Sequence, residues 1–192
     1  MKNKKDEHNA AKNGRKGERL FTAVMRKNNF SCLSKISDFN SYYGEDEGRD
    51  IHKMLMVLDI PEEIRKTQPP EIAKTYYAPD KYIPEVGFIV EIKYSEKLGT
   101  TDEKIFYDLF KIKNGVYEKE FLLYVFIGPK AEEQPLFYTF AAEAKKLDPN
   151  EEKIKVIIDS SPDLKKVVSF LNEKKDLNLL KAAWRDIVSK LY

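Results

Sequence analysis

The sequence predicts an α/β fold: a mixed β-sheet of about four to five strands flanked by helices. Three observations carry that expectation. Residues 86–94, VGFIVEIKY, and 121–127, FLLYVFI, are apolar runs rich in β-branched and aromatic residues, as buried strands are. Between them, TDEKIFYDLFKIKN repeats Ile105, Leu109 and Ile112 at helical spacing, so strands alternate with helices. The sheet opens with a hairpin, because TYYAPDKYIP and VGFIVEIKYS are joined by a tight connection near Pro84 and Glu85. A hairpin followed by strand–helix alternation makes the sheet mixed.

The elements follow in order. Residues 1–19 are basic, with Lys2, Lys4, Lys5, Lys12, Arg15, Lys16 and Arg19 outnumbering Asp6, Glu7 and Glu18. Residues 1–13 are taken as a basic N-terminal arm and 14–192 as a single domain with C-terminal helices. A first helix starts near Arg15 and runs through ERLFTAVMRKN, with Leu20, Phe21, Val24 and Met25 as its apolar stripe. Residues 31–50 are dense in Ser, Asp, Asn and Gly and read as loop. DIHKMLMVLDI is a second helix ended by Pro61, and PEEIRK restarts one with Pro61 at its first position. Pro69 and Pro70 break the chain before the hairpin. Thr100 or Thr101 caps the next helix, and Gly115 follows its end. After FLLYVFI come a helix from Pro135, a strand KIKVIID (153–159) and helices around DLKKVVSFLNEK and LNLLKAAWRDIVSKLY. No internal repeat is present.

Composition removes several function classes. The single cysteine, Cys32, allows no intrachain disulfide or thiolate metal site and suggests a reduced, cytoplasmic compartment. The charged N-terminus lacks the apolar core of a secretory signal, and the longest apolar run is far short of the ~20 residues a membrane helix needs. His8 and His52 are isolated and make no zinc set; His52 suits a core edge or an interface. The net charge of +2 gives no general preference for polyanions, so a nucleic-acid role must rest on local chemistry.

The local chemistry is in VGFIVEIKY. Alternation puts Val86, Phe88, Val90, Ile92 and Tyr94 on one face and Gly87, Ile89, Glu91 and Lys93 on the other. A carboxylate in such a strand is costly unless paired, hydrogen-bonded or bound to a cation. Acidic-x-Lys also occurs at Asp102/Lys104, Glu143/Lys145, Glu151/Lys153, Asp163/Lys165 and Glu173/Lys175, so the triplet alone says little. Only the Glu91/Lys93 copy lies inside a strongly apolar strand, with Pro79-Asp80 on the neighbouring one.

APDKYIPEVGFIVEIK resembles the PD-(D/E)xK signature of restriction-endonuclease-like nucleases. The resemblance implies that family's core fold and one metal site, with Asp80 as first acid, Glu91 as second and Lys93 as the lysine. Glu18 matches the further acid that the first helix supplies in many members, where it would hold a second metal or a water. Asp59, in VLDIPEE, is the main rival for the first acid, and Asp50 a weaker one. Two carboxylates and a backbone carbonyl, that of Ile92, offer hard oxygens to Mg²⁺, with Mn²⁺ able to substitute. Arg15, Lys16, Lys97 and Lys104 are candidates for DNA phosphates. The implied activity is phosphodiester hydrolysis in double-stranded DNA leaving a 5′-phosphate.

No separate base-reading module is visible in the sequence. The protein is therefore similar to the small, strand-cleaving subunit of heterodimeric type IIS restriction enzymes, positioned by a larger DNA-recognising endonuclease subunit. A homodimeric restriction enzyme, a repair or junction nuclease, and a non-catalytic DNA- or protein-binding module are the alternatives. Trp184, Leu180 and Ile187 suit a core or a partner surface.

Overall fold

A computed structural model describes the backbone of residues 4–66, 75–96, 102–117 and 121–191, and the side chains there apart from 4–12, 102–104, 106, 107 and 179–191. The elements are α1 (Lys4–Lys27), α2 (Ile36–Tyr43), α3 (Glu45–Met56), β1 (Leu58–Asp59), α4 (Glu62–Lys66), β2 (Tyr76–Tyr77), β3 (Lys81–Ile83), β4 (Phe88–Tyr94), α5 (Asp102–Lys113), β5 (Phe121–Ile127), α6 (Pro135–Leu147), β6 (Ile154–Asp159) and α7 (Lys165–Leu191). Four strands form the main sheet in the order β3-β4-β5-β6. β3 and β4 are the expected antiparallel hairpin; β4, β5 and β6 run parallel. The α/β class and the mixed sheet agree with the sequence. Among the described residues no helix is long and apolar enough to cross a membrane.

The sheet separates two cores. On one face Phe88, Val90, Ile92 and Tyr94 of β4 pack with Phe21, Val24 and Met25 of α1 and Val167 and Leu171 of α7. On the other, Ile89, Leu122, Tyr124 and Phe126 pack with Phe39, Leu55, Ile64, Ile105, Phe137 and Phe140. β5 sits between neighbours and is covered on both faces, which is why its apolar run is unbroken. Each fully buried side chain of this size contributes about 1.5–3 kcal/mol, so the two apolar layers hold the sheet.

α1 lies close against β4. Gly17 permits this: a Cβ there would stand 2.7 Å from Cβ of Tyr94. Gly17→Ala is expected to cost about 1–3 kcal/mol, the range for overpacking a tight contact. Urea denaturation measures it, and a loss under about 0.5 kcal/mol would show that α1 shifts freely on the sheet. α1 ends in a left-handed turn, with Asn29 at φ 60 and the Phe30 N–H donating to the Met25 carbonyl at 3.0 Å.

Several expectations need correction. α1 begins at Lys4, not near Arg15, and runs unbroken across the expected arm–domain boundary. Ala, Lys, Arg and Glu around Asn13 favour helix strongly enough to outweigh Gly14 and Gly17. Residues 31–50 are not loop; they hold α2 and the first half of α3. The polar residues there are end signals: the Asp38 carboxylate accepts the Ser34 and Lys35 N–H groups, and Gly44 at φ 97 separates the two helices. The second helix stops at Met56, because Leu58–Asp59 pairs with Tyr76–Tyr77 in a separate two-stranded sheet. TYYAPDKYIP is thus two strands in two sheets, divided at Ala78–Asp80. The tail is one helix, α7, with no glycine or proline to interrupt it. The side chains of Leu180, Trp184 and Ile187 and the caps Thr100 and Thr101 lie outside the described residues, as do Pro69 and Pro70.

Candidate active site

β4 aims alternate side chains at the two cores, and Glu91 and Lys93 fall on the side of α5. Glu91 is 1% exposed. In the hairpin register Lys81 faces Val90, which carries Asp80 across from Glu91 just before β3 begins. The Asp80 carboxylate replaces the missing strand partner: its Oδ2 accepts the Ile92 N–H at 2.7 Å. A strand residue's N–H and C=O point to the same side, so the Ile92 carbonyl also faces the Asp80 side. Pro79, which has no N–H, suits the point where pairing stops.

Lys93 does not pair chiefly with Glu91. Its Nζ lies 2.9 Å from Oδ2 of Asp108 and 3.8 Å from Oε2 of Glu91. Asp108, on α5, also meets Lys111 Nζ at 2.5 Å and accepts the Tyr124 hydroxyl. Lys111 sits 3.6 Å above the Tyr77 ring. Asp108 and Lys111 are each 4% exposed. The cluster therefore gathers three acids, Asp80, Glu91 and Asp108, around two lysines, one acid more than the lysines balance.

The electrostatics follow from this imbalance. Burial, then the neighbouring Asp80, pushes the Glu91 carboxyl up to about 8; Lys93 and Tyr77 only partly offset the rise. Asp80 is also raised by burial, with the Ile92 N–H and Lys93 opposing. Burial works against the charge on Asp108, but Lys93 and Lys111 outweigh it and hold that carboxyl below its ordinary value. Lys93 is likewise penalised by burial, yet Asp108 and Glu91 keep it cationic. Glu91 Oε1 is buried with no hydrogen-bond partner. Such an atom costs about 1–3 kcal/mol unless something completes it.

Of the other predicted residues, Glu18 bonds Lys81 at 3.2 Å and lies near enough to Asp80 to raise its pKa. Among the described residues no three His, Cys, Asp or Glu side chains are grouped to hold a metal ion, so neither Glu18 nor Asp108 completes such a group with Asp80 and Glu91. Asp59 is exposed on β1 and Asp50 exposed on α3, and neither is among the charges acting on Glu91, so Asp80 is the acid that the fold brings to it. Arg15 is exposed and lines a cleft beside α1. Lys16 is paired with Glu96 at 2.7 Å. Lys97 and the Lys104 side chain lie outside the described residues, as does the side chain of His8. His52 packs edge-on to Phe39 at 5.2 Å between ring centroids, a core-edge position.

Sequence reasoning missed Asp108, Lys111, Tyr77 and Tyr124. A signal for Asp108 existed. Ile105, Asp108, Leu109 and Ile112 stand at i, i+3, i+4 and i+7, so an acid occupies the apolar stripe, and Lys111 follows at i+3. Tyr124 carries the one hydroxyl of FLLYVFI and stands opposite Glu91 in the parallel register.

A divalent cation fits these residues. Mg²⁺ is commonly held by one or two carboxylates, with waters and substrate phosphates completing its shell. Asp80, Glu91 and the Ile92 carbonyl would offer such a set, and the orphaned Oε1 of Glu91 is what a cation would satisfy. Comparison of the chain with known protein families, with curated proteins and with solved structures finds no match.

Proposed function

We propose that the protein is a Mg²⁺-dependent DNA endonuclease of the PD-(D/E)xK kind, with Asp80, Glu91 and Lys93 at its catalytic centre. The observation that carries this is Glu91: a buried carboxylate with an unpartnered oxygen, beside a second acid, two residues before a lysine. Bound Mg²⁺ would polarise a phosphoryl oxygen and acidify a water. Asp80 and Glu91 would hold it, and the Ile92 N–H fixes the Asp80 carboxylate in place. Lys93, flanked by two carboxylates, stays protonated; its role is to steady charge on the phosphoryl oxygens in the transition state rather than to take a proton from water.

The chain is read as the strand-cleaving subunit that a larger DNA-recognising subunit positions. Support is the low net charge of +2 and the lack of a base-reading motif in the sequence. The test has two arms. Mn²⁺ titration followed by calorimetry reports the site without any cleavage, and binding is expected to vanish in Asp80→Ala. Supercoiled plasmid with Mg²⁺ or Mn²⁺, with the chain alone and with partner subunits, reports nicking. If no form binds metal and none cuts, Lys93–Asp108–Lys111 is a structural ion cluster and the protein is a binding module.

A further inference from the structure

Arg15, Arg19, Thr22 and Arg26 stand at i, i+4, i+7 and i+11 on α1 and so form one stripe along the helix. Together with Glu18, Ala23 and Lys81 they line a cleft of about 350 Å³. All three arginines are exposed. None has an ion pair or hydrogen bond to another described residue, whereas Lys81 is neutralised by Glu18 at 3.2 Å. The cleft therefore carries three uncompensated guanidinium groups above one closed ion pair. Lys81 follows Asp80 directly in sequence, and both Glu18 and Lys81 act on the Asp80 carboxyl, so the lining of the cleft adjoins the candidate catalytic acid Asp80.

We infer that this cleft is the track for the sugar–phosphate backbone of one DNA strand, with Arg15, Arg19 and Arg26 as its phosphate contacts. The substrate class rests on the nuclease reading; the cationic cleft does not. Guanidinium groups match phosphate oxygens in two-point geometry, which an ammonium cannot do. Eleven residues of helix span about 16 Å, the length of roughly five phosphates of one strand along a duplex. The cleft-lining side chains between the arginines are Glu18, Thr22 and Ala23, so the stripe lacks the large apolar residues by which a basic helix enters a lipid surface. A concave floor also suits a strand better than a flat bilayer. Of the four lysines and arginines proposed from sequence for this role, only Arg15 belongs to the stripe; Lys16 points elsewhere, to Glu96.

The test is fluorescence anisotropy of a labelled duplex of about 20 base pairs in EDTA, which removes cleavage and metal from the readout. Three phosphate contacts give a slope of log K against log salt of about −2.7, or roughly a 40-fold loss of affinity between 50 and 200 mM salt. Arg19→Ala/Arg26→Ala is expected to bring the slope to about −0.9 and to weaken binding at least tenfold at 50 mM. Lys146→Ala/Lys165→Ala, exposed and away from the cleft, should leave both unchanged. Far-UV circular dichroism verifies folding, which these exposed positions do not control. Wild-type affinity and slope in the double arginine variant would overturn the inference. So would binding to phosphatidylserine vesicles with none to the duplex. Arginine-dependent duplex binding with no cleavage by any form would keep the cleft and sink the nuclease. Cleavage that needs Glu91 but not the arginines would do the reverse.

Discussion

Glu91→Gln is expected to abolish Mg²⁺-dependent cleavage and, at the same time, to raise the thermal stability of the metal-free protein. The two effects have one cause. Glu91 is buried, its Oε1 has no hydrogen-bond partner, and Asp80 stands beside it. Without a cation Glu91 must take up a proton to be buried at neutral pH, and its orphaned Oε1 is a further liability of about 1–3 kcal/mol. Glutamine keeps the shape and needs no proton to stay neutral, so the melting temperature at neutral pH should rise by a few degrees, at about 2–4 °C per kcal/mol for a chain of this size. Cleavage moves the other way. A metal at such a site supplies several kcal/mol of transition-state stabilisation, and about 1.4 kcal/mol is tenfold in rate, so a loss of roughly 10³ or more is expected. Opposed shifts in stability and activity are the mark of a functional site. Plasmid nicking and calorimetric melting measure the pair. Cleavage at the wild-type rate would remove Glu91 from the catalytic centre; a fall in both quantities would make it merely structural.

Asp108→Ala is expected to be the most destabilising change in the cluster. Asp108 receives Lys93 at 2.9 Å, Lys111 at 2.5 Å and the Tyr124 hydroxyl. Removing it takes a carboxylate away from the buried Lys111, from the partly exposed Lys93 and from the buried Tyr124 hydroxyl. Breaking a buried ion pair by deleting one partner costs about 3–5 kcal/mol, because the remaining charge is uncompensated. Lys111→Met is expected to cost less, since Asp108 keeps Lys93 and Tyr124. Cleavage should fall in Asp108→Ala as well, because Lys93 loses the contact that holds it beside Glu91. Urea denaturation at neutral pH gives the stability of both variants. A cost under about 1 kcal/mol for Asp108→Ala would mean that water reaches the cluster and screens it.

The strands and the site differ in how far the sequence reveals them. VGFIVEIKY and FLLYVFI are recognisable because burial on one or both faces writes itself directly into residue type. Glu91 and Lys93 stand out for the same reason, as charges in an apolar strand. The region 31–50 did not, because Asp38 and Gly44 use turn chemistry to start and separate helices, and such residues are equally common in loops. The break at Ala78–Asp80 depends on two different strands, β1 and β4, each claiming one half of the segment. Local propensity carries no record of such a partner.

By itself, the sequence determined the α/β class, the hairpin at the start of the sheet, the faces of β4 and the identity of the two charges on its inner side. These follow from side-chain alternation and from the cost of burying polar groups, both of which are local. Only the tertiary structure decided which aspartate stands beside Glu91, because Asp80 and Asp59 are both acids upstream of β4 and only the register of β3 on β4 distinguishes them. It also decided that Lys93 leans on Asp108 rather than on Glu91, which leaves one carboxylate oxygen buried without a partner. Charge balance inside a protein is a property of what is packed within a few ångströms, and residues 15 or more apart in sequence meet there only because the chain has folded.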